Sequence, residues 1–292
     1  MEIRTAFPVL IILLILIGCS NDAARVGSTG ISDRDIELRS KVSEIYFPGS
    51  GKPSVGLAQL IKGAVAAEVL RSKGFRMDDD SLDREIKRID EQTKAPELLQ
   101  KVKEVYQQNM PAYRRTFIQP AYAERILYRE VFLMAPEIQT ERKQTATVFL
   151  SAVTSNPDSF ESAGRDLGIS VVILNVSADS GIVPAGKESS KPPVDAMGKK
   201  VGRELLARIA SHKDVKGPIL PEVIEWPDGY QVVKVIKRGK STAVIQSAAI
   251  PKKSFDEWLW EQAKDIRVKI RDRALRDQFV KEVSWARNLN LQ

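Results

Sequence analysis

The chain opens with a short head that contains Arg4, and an unbroken apolar run from Val9 to Ile17 follows, ending at Gly18 and Cys19. A charged head, an apolar core and a small residue before the cleavage point are typical of a secretory signal. Cys19 is the only cysteine in the sequence. Because an exported chain with one cysteine cannot form internal disulfides, its fold depends on a hydrophobic core alone.

The ending Leu16-Ile17-Gly18-Cys19 resembles the lipobox of bacterial lipoproteins. That resemblance implies that residues 1–19 are a lipoprotein signal peptide and that Cys19, carrying a diacylglyceryl group, becomes the first residue. It predicts an extracytoplasmic protein anchored by lipid to a bacterial membrane, on its periplasmic face or at the cell surface. The alternative is an uncleaved transmembrane anchor, but the run is shorter than the roughly 20 residues that a membrane span needs.

Composition limits the chemistry of the chain, which has 45 basic and 38 acidic residues, a net charge of +7, one cysteine and one histidine. A zinc cluster of cysteines and histidines is excluded. His212 lies between Ser211 and Lys213 in a polar segment, which predicts a solvated loop rather than a catalytic base. The sequence contains no phosphate-binding loop, dinucleotide fingerprint or nucleophile elbow. We therefore predict no catalytic residue, no metal site and no cofactor.

Positive charge on an exported chain favours anionic lipid head groups or acidic partners. Arginines and lysines from Arg267 to Arg276 form a basic strip, which we interpret as a solvated face or as a contact with anionic lipid. A lipid-anchored exported chain is not expected to bind nucleic acid.

Residues 20–30 are small and polar, and they predict a flexible tether. Residues 31–138 then show the apolar spacing of helices, with the clearest repeat at Leu57, Leu60, Ile61, Ala64, Ala67 and Leu70. Ser32 and Asp78 stand where helix N-caps are expected. Helix capping also accounts for the acidic run Asp78-Asp79-Asp80 better than a metal site does. We predict an all-helical N-terminal domain.

Residues 139–240 predict a small α/β domain. Two short helices, at 145–153 and 159–167, precede a β-branched strand at 170–174. Residues 221–225 and 230–236 read as a hairpin, since Asp228-Gly229 between them is a strong turn signal. A further strand is expected at 243–249. Residues 241–292 predict C-terminal helices that begin after Ser254 and Asp272, with an extended link at 267–270.

Three stretches resemble the SurA and PrsA family of exported folding factors. The first extends from Gln59-Leu60-Ile61 to Gly74-Phe75-Arg76-Met77-Asp78-Asp79, and the second is Phe160-Glu161-Ser162-Ala163. The third joins Gly217-Pro218-Ile219 to Asp228-Gly229-Tyr230-Gln231-Val232-Val233-Lys234-Val235, and it is similar to the ending of a parvulin-type prolyl isomerase domain.

This resemblance implies an α+β, mostly helical fold. Both chain ends would build one helical chaperone module, with a small parvulin-like domain inserted between them, and the partners would be unfolded or extended exported polypeptides. Parvulin domains carry two active-site histidines, but this sequence has Thr147 and Gln231 at the nearest positions. We therefore predict a membrane-anchored chaperone with a degenerate parvulin-like domain. The alternatives are an active prolyl isomerase and a structural lipoprotein of an envelope or secretion complex.

Aromatic residues are the candidates for polypeptide binding: Tyr230 in the hairpin, and Phe255, Trp258 and Trp260 near the C-terminus. Core packing is the alternative for Trp258, which shares a helical face with Phe255. Trp260 is off that face, and the sequence leaves its exposure open.

Replacing Cys19 with serine tests the lipid anchor. Because the chain has no other thiol, Cys19→Ser is expected to leave an unprocessed precursor. The mass of the N-terminal peptide from membrane fractions measures this. Normal processing and release of the variant would contradict lipidation.

Overall fold

The structure is a computed structural model that describes residues 22–185, 196–212 and 217–292. The predicted signal peptide and Cys19 lie outside the described residues. The protein is α+β and mostly helical, with two small sheets. The chain divides into two compact units, which are Met1–Arg129 with Leu259–Gln292 (unit 1) and Glu130–Trp258 (unit 2).

The first segment of unit 1 is helical after residue 32. Its described helices are α1 Asp33–Tyr46, α2 Pro53–Ser72, α3 Asp79–Gln92, α4 Pro96–Tyr106, α5 Met110–Tyr113 and α6 Gln119–Ile126, with a π-helical turn at Arg114–Ile118. Ser32 caps α1 as predicted: its hydroxyl accepts the Asp35 N–H at 3.2 Å, and the Asp35 carboxylate accepts the Ser32 N–H at 3.1 Å. This reciprocal pair is a capping box. Asp78 caps α3 by accepting the Ser81 N–H at 2.8 Å.

Helix α2 lies at the centre of unit 1, and its residues Leu57, Ile61 and Leu70 are fully buried. A side chain at Gly63 would lie 2.4 Å from Pro120 of α6, so glycine permits the close approach of these two helices. Among the described helices, α2 alone is long and apolar enough to cross a membrane, but 67% of its apolar window is buried inside the protein. That burial is typical of a core helix.

A four-stranded sheet brings both chain ends together in unit 1. Its order is β2-β1-β8-β9, with β1 Asp22–Val26, β2 Thr29–Ser32, β8 Arg267–Ile270 and β9 Asn290–Leu291. The structure therefore differs from the predicted tether over 20–30, because residues 22–26 and 29–32 are strands. Ala24 and Val26 lie opposite Ile270 and Val268, and all four are buried. The small side chains of β1 are typical of a linker when only the sequence is considered. They belong to a strand here because β1 packs against α2.

Helix α11, Arg273–Glu282, packs against α2 within unit 1. The buried Ser54 hydroxyl of α2 donates a hydrogen bond to the Glu282 carboxylate. Hydrogen bonds from Ser54 and Gln278 hold the pKa of Glu282 below its usual value. Phe279 is fully buried, and its ring meets Trp285 edge-on at 5.5 Å.

Unit 2 contains a five-stranded antiparallel sheet in the order β4-β3-β7-β6-β5. Its described elements are α7 Thr140–Ser155, α8 Phe160–Asp166, β3 Val171–Ser177, β4 Gly181–Pro184, α9 Ala196–Ser211, β5 Ile224–Glu225, β6 Gly229–Arg238 and β7 Thr242–Pro251. Helix α10, Phe255–Gln262, follows and contains the boundary between the units. The predicted hairpin at 221–236 is confirmed.

Helices cover both faces of this sheet. On one face, Phe149 of α7 and Phe160 of α8 share a core with Val232 and Ala248. On the other face, Leu205 and Ile209 of α9 pack with strand residues that include Val233, Val235 and Ile245. The first five residues of β6 are therefore buried on both faces of the sheet, whereas its last three residues are exposed.

Both boundaries of the small domain differ from the sequence prediction, which places its start at residue 139, whereas unit 2 begins at Glu130. The small domain was expected to end at residue 240, but β7 lies at the centre of its sheet, paired with β6 and β3. Removing residues 242–251 from this unit would divide the sheet.

Thr147 to Leu150, the nearest place to the opening strand of a parvulin, lies within α7, as the helical spacing of 145–153 predicts.

Truncating Phe279 tests the contribution of the C-terminal segment to unit 1. Phe279→Ala is expected to lower the free energy of unfolding by about 3–5 kcal/mol, because it leaves a cavity in a closed core. The exposed Phe47 provides the matched control, and Phe47→Ala is expected to change it by less than about 0.5 kcal/mol. Denaturant unfolding followed by tryptophan fluorescence measures both. Equal effects would show that α11 is not part of the core.

Candidate functional site

The turn between β5 and β6 positions the main candidate site in unit 2. The segment Trp226-Pro227-Asp228 precedes Gly229, the first residue of β6. A side chain at Gly229 would lie 2.8 Å from the Ile250 carbonyl oxygen, so only glycine lets the two strands meet here. The Trp226 N–H bonds to the Gly229 carbonyl oxygen at 2.8 Å and closes the turn.

Gln231 lies at the centre of a buried hydrogen-bond chain. Its side-chain oxygen accepts from the Trp226 indole N–H at 2.8 Å, and its amide nitrogen donates to the Ser247 hydroxyl at 2.7 Å. Gln231 and Ser247 are buried, and Trp226 is half-buried. The Gln231 side chain is therefore a neutral amide whose oxygen and nitrogen are both bonded within the protein.

A cleft of about 560 Å³ opens beside this chain of hydrogen bonds. Most of its lining is apolar or aromatic and comes from Ile182, Val201, Trp226, Pro227, Tyr230, Ala249, Ile250 and Pro251. Asp228 and Tyr230 are the ionisable residues among those that line it. Such a cleft can bury an apolar side chain and offers few groups for acid–base chemistry.

A pair of opposite charges lies next to the cleft. The Lys252 ammonium lies 2.8 Å from the Glu225 carboxylate and 5.4 Å from the centre of the Tyr230 ring. The hydrogen bond from Lys252 lowers the pKa of Glu225. Burial, together with the negative charge of Glu225, raises the pKa of Tyr230. Tyr230 is therefore neutral at physiological pH.

The aromatic residues predicted to bind polypeptides do not form one surface. Tyr230 lines the cleft, whereas Phe255 and Trp258 form a three-ring cluster with Phe132 of unit 2, at centroid distances of 5.7 and 5.8 Å from it. Trp258 is 5% exposed, so the core interpretation of this residue is confirmed.

Trp260 belongs to unit 1 and is also 5% exposed. It stacks on Trp285 at 4.3 Å, which settles the exposure that the sequence left open. Trp258 and Trp260 therefore lack the exposed surface that binding a polypeptide requires, and Phe255 is half-buried.

The remaining sequence candidates have structural roles. His212 lies at the end of α9, where its Nδ1 is 2.8 Å from the Arg208 carbonyl oxygen. Thr147 is exposed on α7, and its hydroxyl donates to the Lys143 carbonyl oxygen. Within the described ranges no group of three His, Cys, Asp or Glu could hold a metal ion.

A second cleft of about 560 Å³, in unit 1, was not predicted from the sequence. It lies beside the buried Tyr106 and Tyr113, where α4 ends and Gln107 and Gln108 adopt left-handed backbone angles. The Tyr106 hydroxyl is bonded to Thr116 at 2.8 Å, and the buried Tyr113 hydroxyl has no hydrogen-bond partner. Glutamine is not typical of the left-handed region, so the sequence carries no signal for this turn.

Removing the Ser247 hydroxyl tests the polar chain at the main cleft. Ser247→Ala is expected to lower the free energy of unfolding by about 1–3 kcal/mol, because the Gln231 amide nitrogen loses its partner inside the protein. Ser241→Ala, at an exposed position beside the same strand, is the control and should change it by less than about 0.5 kcal/mol. Unchanged stability in Ser247→Ala would mean that the amide bonds elsewhere.

Comparison with models of known protein families finds no match for this chain. Curated protein sequences and solved structures give no match either.

Proposed function

We propose that the protein is a lipid-anchored extracytoplasmic chaperone that binds unfolded or extended exported polypeptides. The observation that carries the proposal is the cleft at Gln231, which is open and largely apolar. Burying an apolar side chain there is favourable by about 25 cal/mol for each Å² removed from water. A modest, sequence-tolerant affinity suits a protein that must release its clients.

The chain order is a second support. Unit 1 is built from Met1–Arg129 and Leu259–Gln292, and unit 2 lies between them in the sequence. A helical module made from both chain ends, with a smaller α/β unit inserted, is the arrangement that the resemblance to the SurA and PrsA family implies. Lipid on Cys19 would keep the protein beside the membrane that its clients cross, which raises its effective concentration there.

Binding without catalysis follows from two positions. Prolyl isomerisation must overcome a barrier of about 18–20 kcal/mol, and the pocket has to orient the imide bond to lower it. Thr147 is exposed on a helix, and both ends of the Gln231 side chain are bonded within the protein. Neither residue titrates near neutral pH. The two alternatives to a chaperone are an active prolyl isomerase and a structural lipoprotein of an envelope complex.

The test compares two alanine-to-arginine variants. Ala249 lines the cleft, opposite Gln231 on the neighbouring strand, and is exposed, so Ala249→Arg is expected to fill the cleft without disturbing the core. Ala152→Arg, on the exposed face of α7, introduces the same group elsewhere in unit 2. The wild type and Ala152→Arg should suppress aggregation of reduced, unfolded lysozyme, and Ala249→Arg should lose most of this activity while melting at the same temperature.

Equal suppression by both variants would exclude the cleft, and no suppression by the wild type would remove the chaperone proposal. A proline-peptide isomerisation rate proportional to protein concentration would instead favour the enzyme.

A further inference from the structure

The exposed face of the unit 1 sheet carries cations directly opposite one another. Arg25 of β1 faces Lys269 of β8 in the antiparallel register. Both side chains are exposed, and so is Arg267, which shares their face because it lies two residues from Lys269 on the same strand. Like charges directly opposite each other on neighbouring strands destabilise a sheet. Asp22 offsets the charge of Arg25 in this pair, so the cations left for a bound anion are Lys269 and Arg267.

Acidic side chains compensate only part of this charge. Arg25 pairs with Asp22 at 2.8 Å. Arg267 and Lys269 make no ion pair with any residue of the described ranges. The other face of the same strands is apolar and buried, at Ala24, Val26, Val268 and Ile270. The sheet thus presents one fixed cationic face, because turning it over would expose that apolar core.

The position of this face in the chain points to its partner. Cys19 lies three residues before Asp22, and a chain segment of that length extends over at most about 11 Å. This maximum separation is close to the Debye length of about 8–10 Å at physiological salt, within which salt does not yet screen the attraction between opposite charges. With the proposed lipid on Cys19, and no long tether before β1, the cationic face lies within reach of the lipid head groups.

We propose that this face, with Arg25, Arg267 and Lys269, docks on the anionic phospholipid head groups of the membrane that holds the lipid anchor. The inference rests on the proposed anchoring and adds a second, electrostatic contact to it. Phosphates beneath the strands would neutralise Lys269 and Arg267, so that the membrane stabilises the sheet and fixes the orientation of unit 1.

The test uses the lipidated full chain in two kinds of vesicle, phosphatidylcholine alone and phosphatidylcholine with about one third phosphatidylglycerol. Amine- and guanidinium-specific reagents label exposed side chains, and mass spectrometry measures the rate at each residue. Lys269 and Arg267 are expected to react at least about threefold more slowly on the anionic vesicles. Lys101, exposed on α4 of the same unit, should react equally on both. Salt at about 0.5 M should remove the difference.

A pair of charge reversals separates docking from general charge attraction. Lys269→Glu places opposite charges across the strands, so it should keep or raise the melting temperature while the protection of Arg267 on anionic vesicles falls towards none. Lys101→Glu makes the same change of net charge on α4 and should leave that protection intact. Equal loss in both variants would overturn the assignment to this face.

The remaining outcomes also decide between proposals. Equal labelling of Lys269 on both vesicles, in a chain whose N-terminal peptide carries lipid, overturns the docking alone. A chain without lipid on Cys19 overturns the anchor and the docking together. Protection by added polyglutamate on phosphatidylcholine vesicles, without protection by phosphatidylglycerol, would assign the face to an acidic protein partner instead.

Discussion

The pairing of β1 with β8 is the interaction on which unit 1 depends. Backbone hydrogen bonds extend this ladder beyond the strands, from the Gly27 N–H to the Arg267 carbonyl and from the Arg271 N–H to the Ala23 carbonyl, both at 2.9 Å. The register places the buried apolar residues of both strands on one face, β1 packs against α2, and α11 begins soon after β8. Because α2 packs against α1 and α6 of the first segment and against α11 of the second, the N-terminal helices and the C-terminal segment stabilise one another.

Local signals made most of the helices and the hairpin predictable. Ser32, Asp78 and Asp272 act through hydrogen bonds within three residues, and Asp228-Gly229 turns the chain within four, so sequence alone can indicate them. The failures concern contacts between distant segments. Residues 22–26 carry no β-branched run, and they form a strand because β8 and α2 cover them. The place of β7 at the centre of the sheet likewise depends on β3, far from it in the chain.

Aromatic residues were the least predictable part of the candidate site. Trp258 and Trp260 are two residues apart, yet they pack into different units, because the boundary falls between them. Tyr230 lines the cleft and lies on a hairpin, which is a local feature of the sequence. The hydrogen bonds of Gln231 could not be read from the sequence, because Ser247 joins them from the neighbouring strand.

Unit 1 is built from two segments that lie far apart in the sequence, and this arrangement also governs the order in which the chain can fold. Its first segment leaves the ribosome, and any export channel, long before residues 259–292 supply β8 and α11. Unit 2 is continuous in sequence and can complete its sheet as soon as β7 has appeared. Long-range pairing makes folding slow, although closing a long loop costs only a logarithmic increase in free energy. The last residues to be synthesised therefore determine when the first helices become stable.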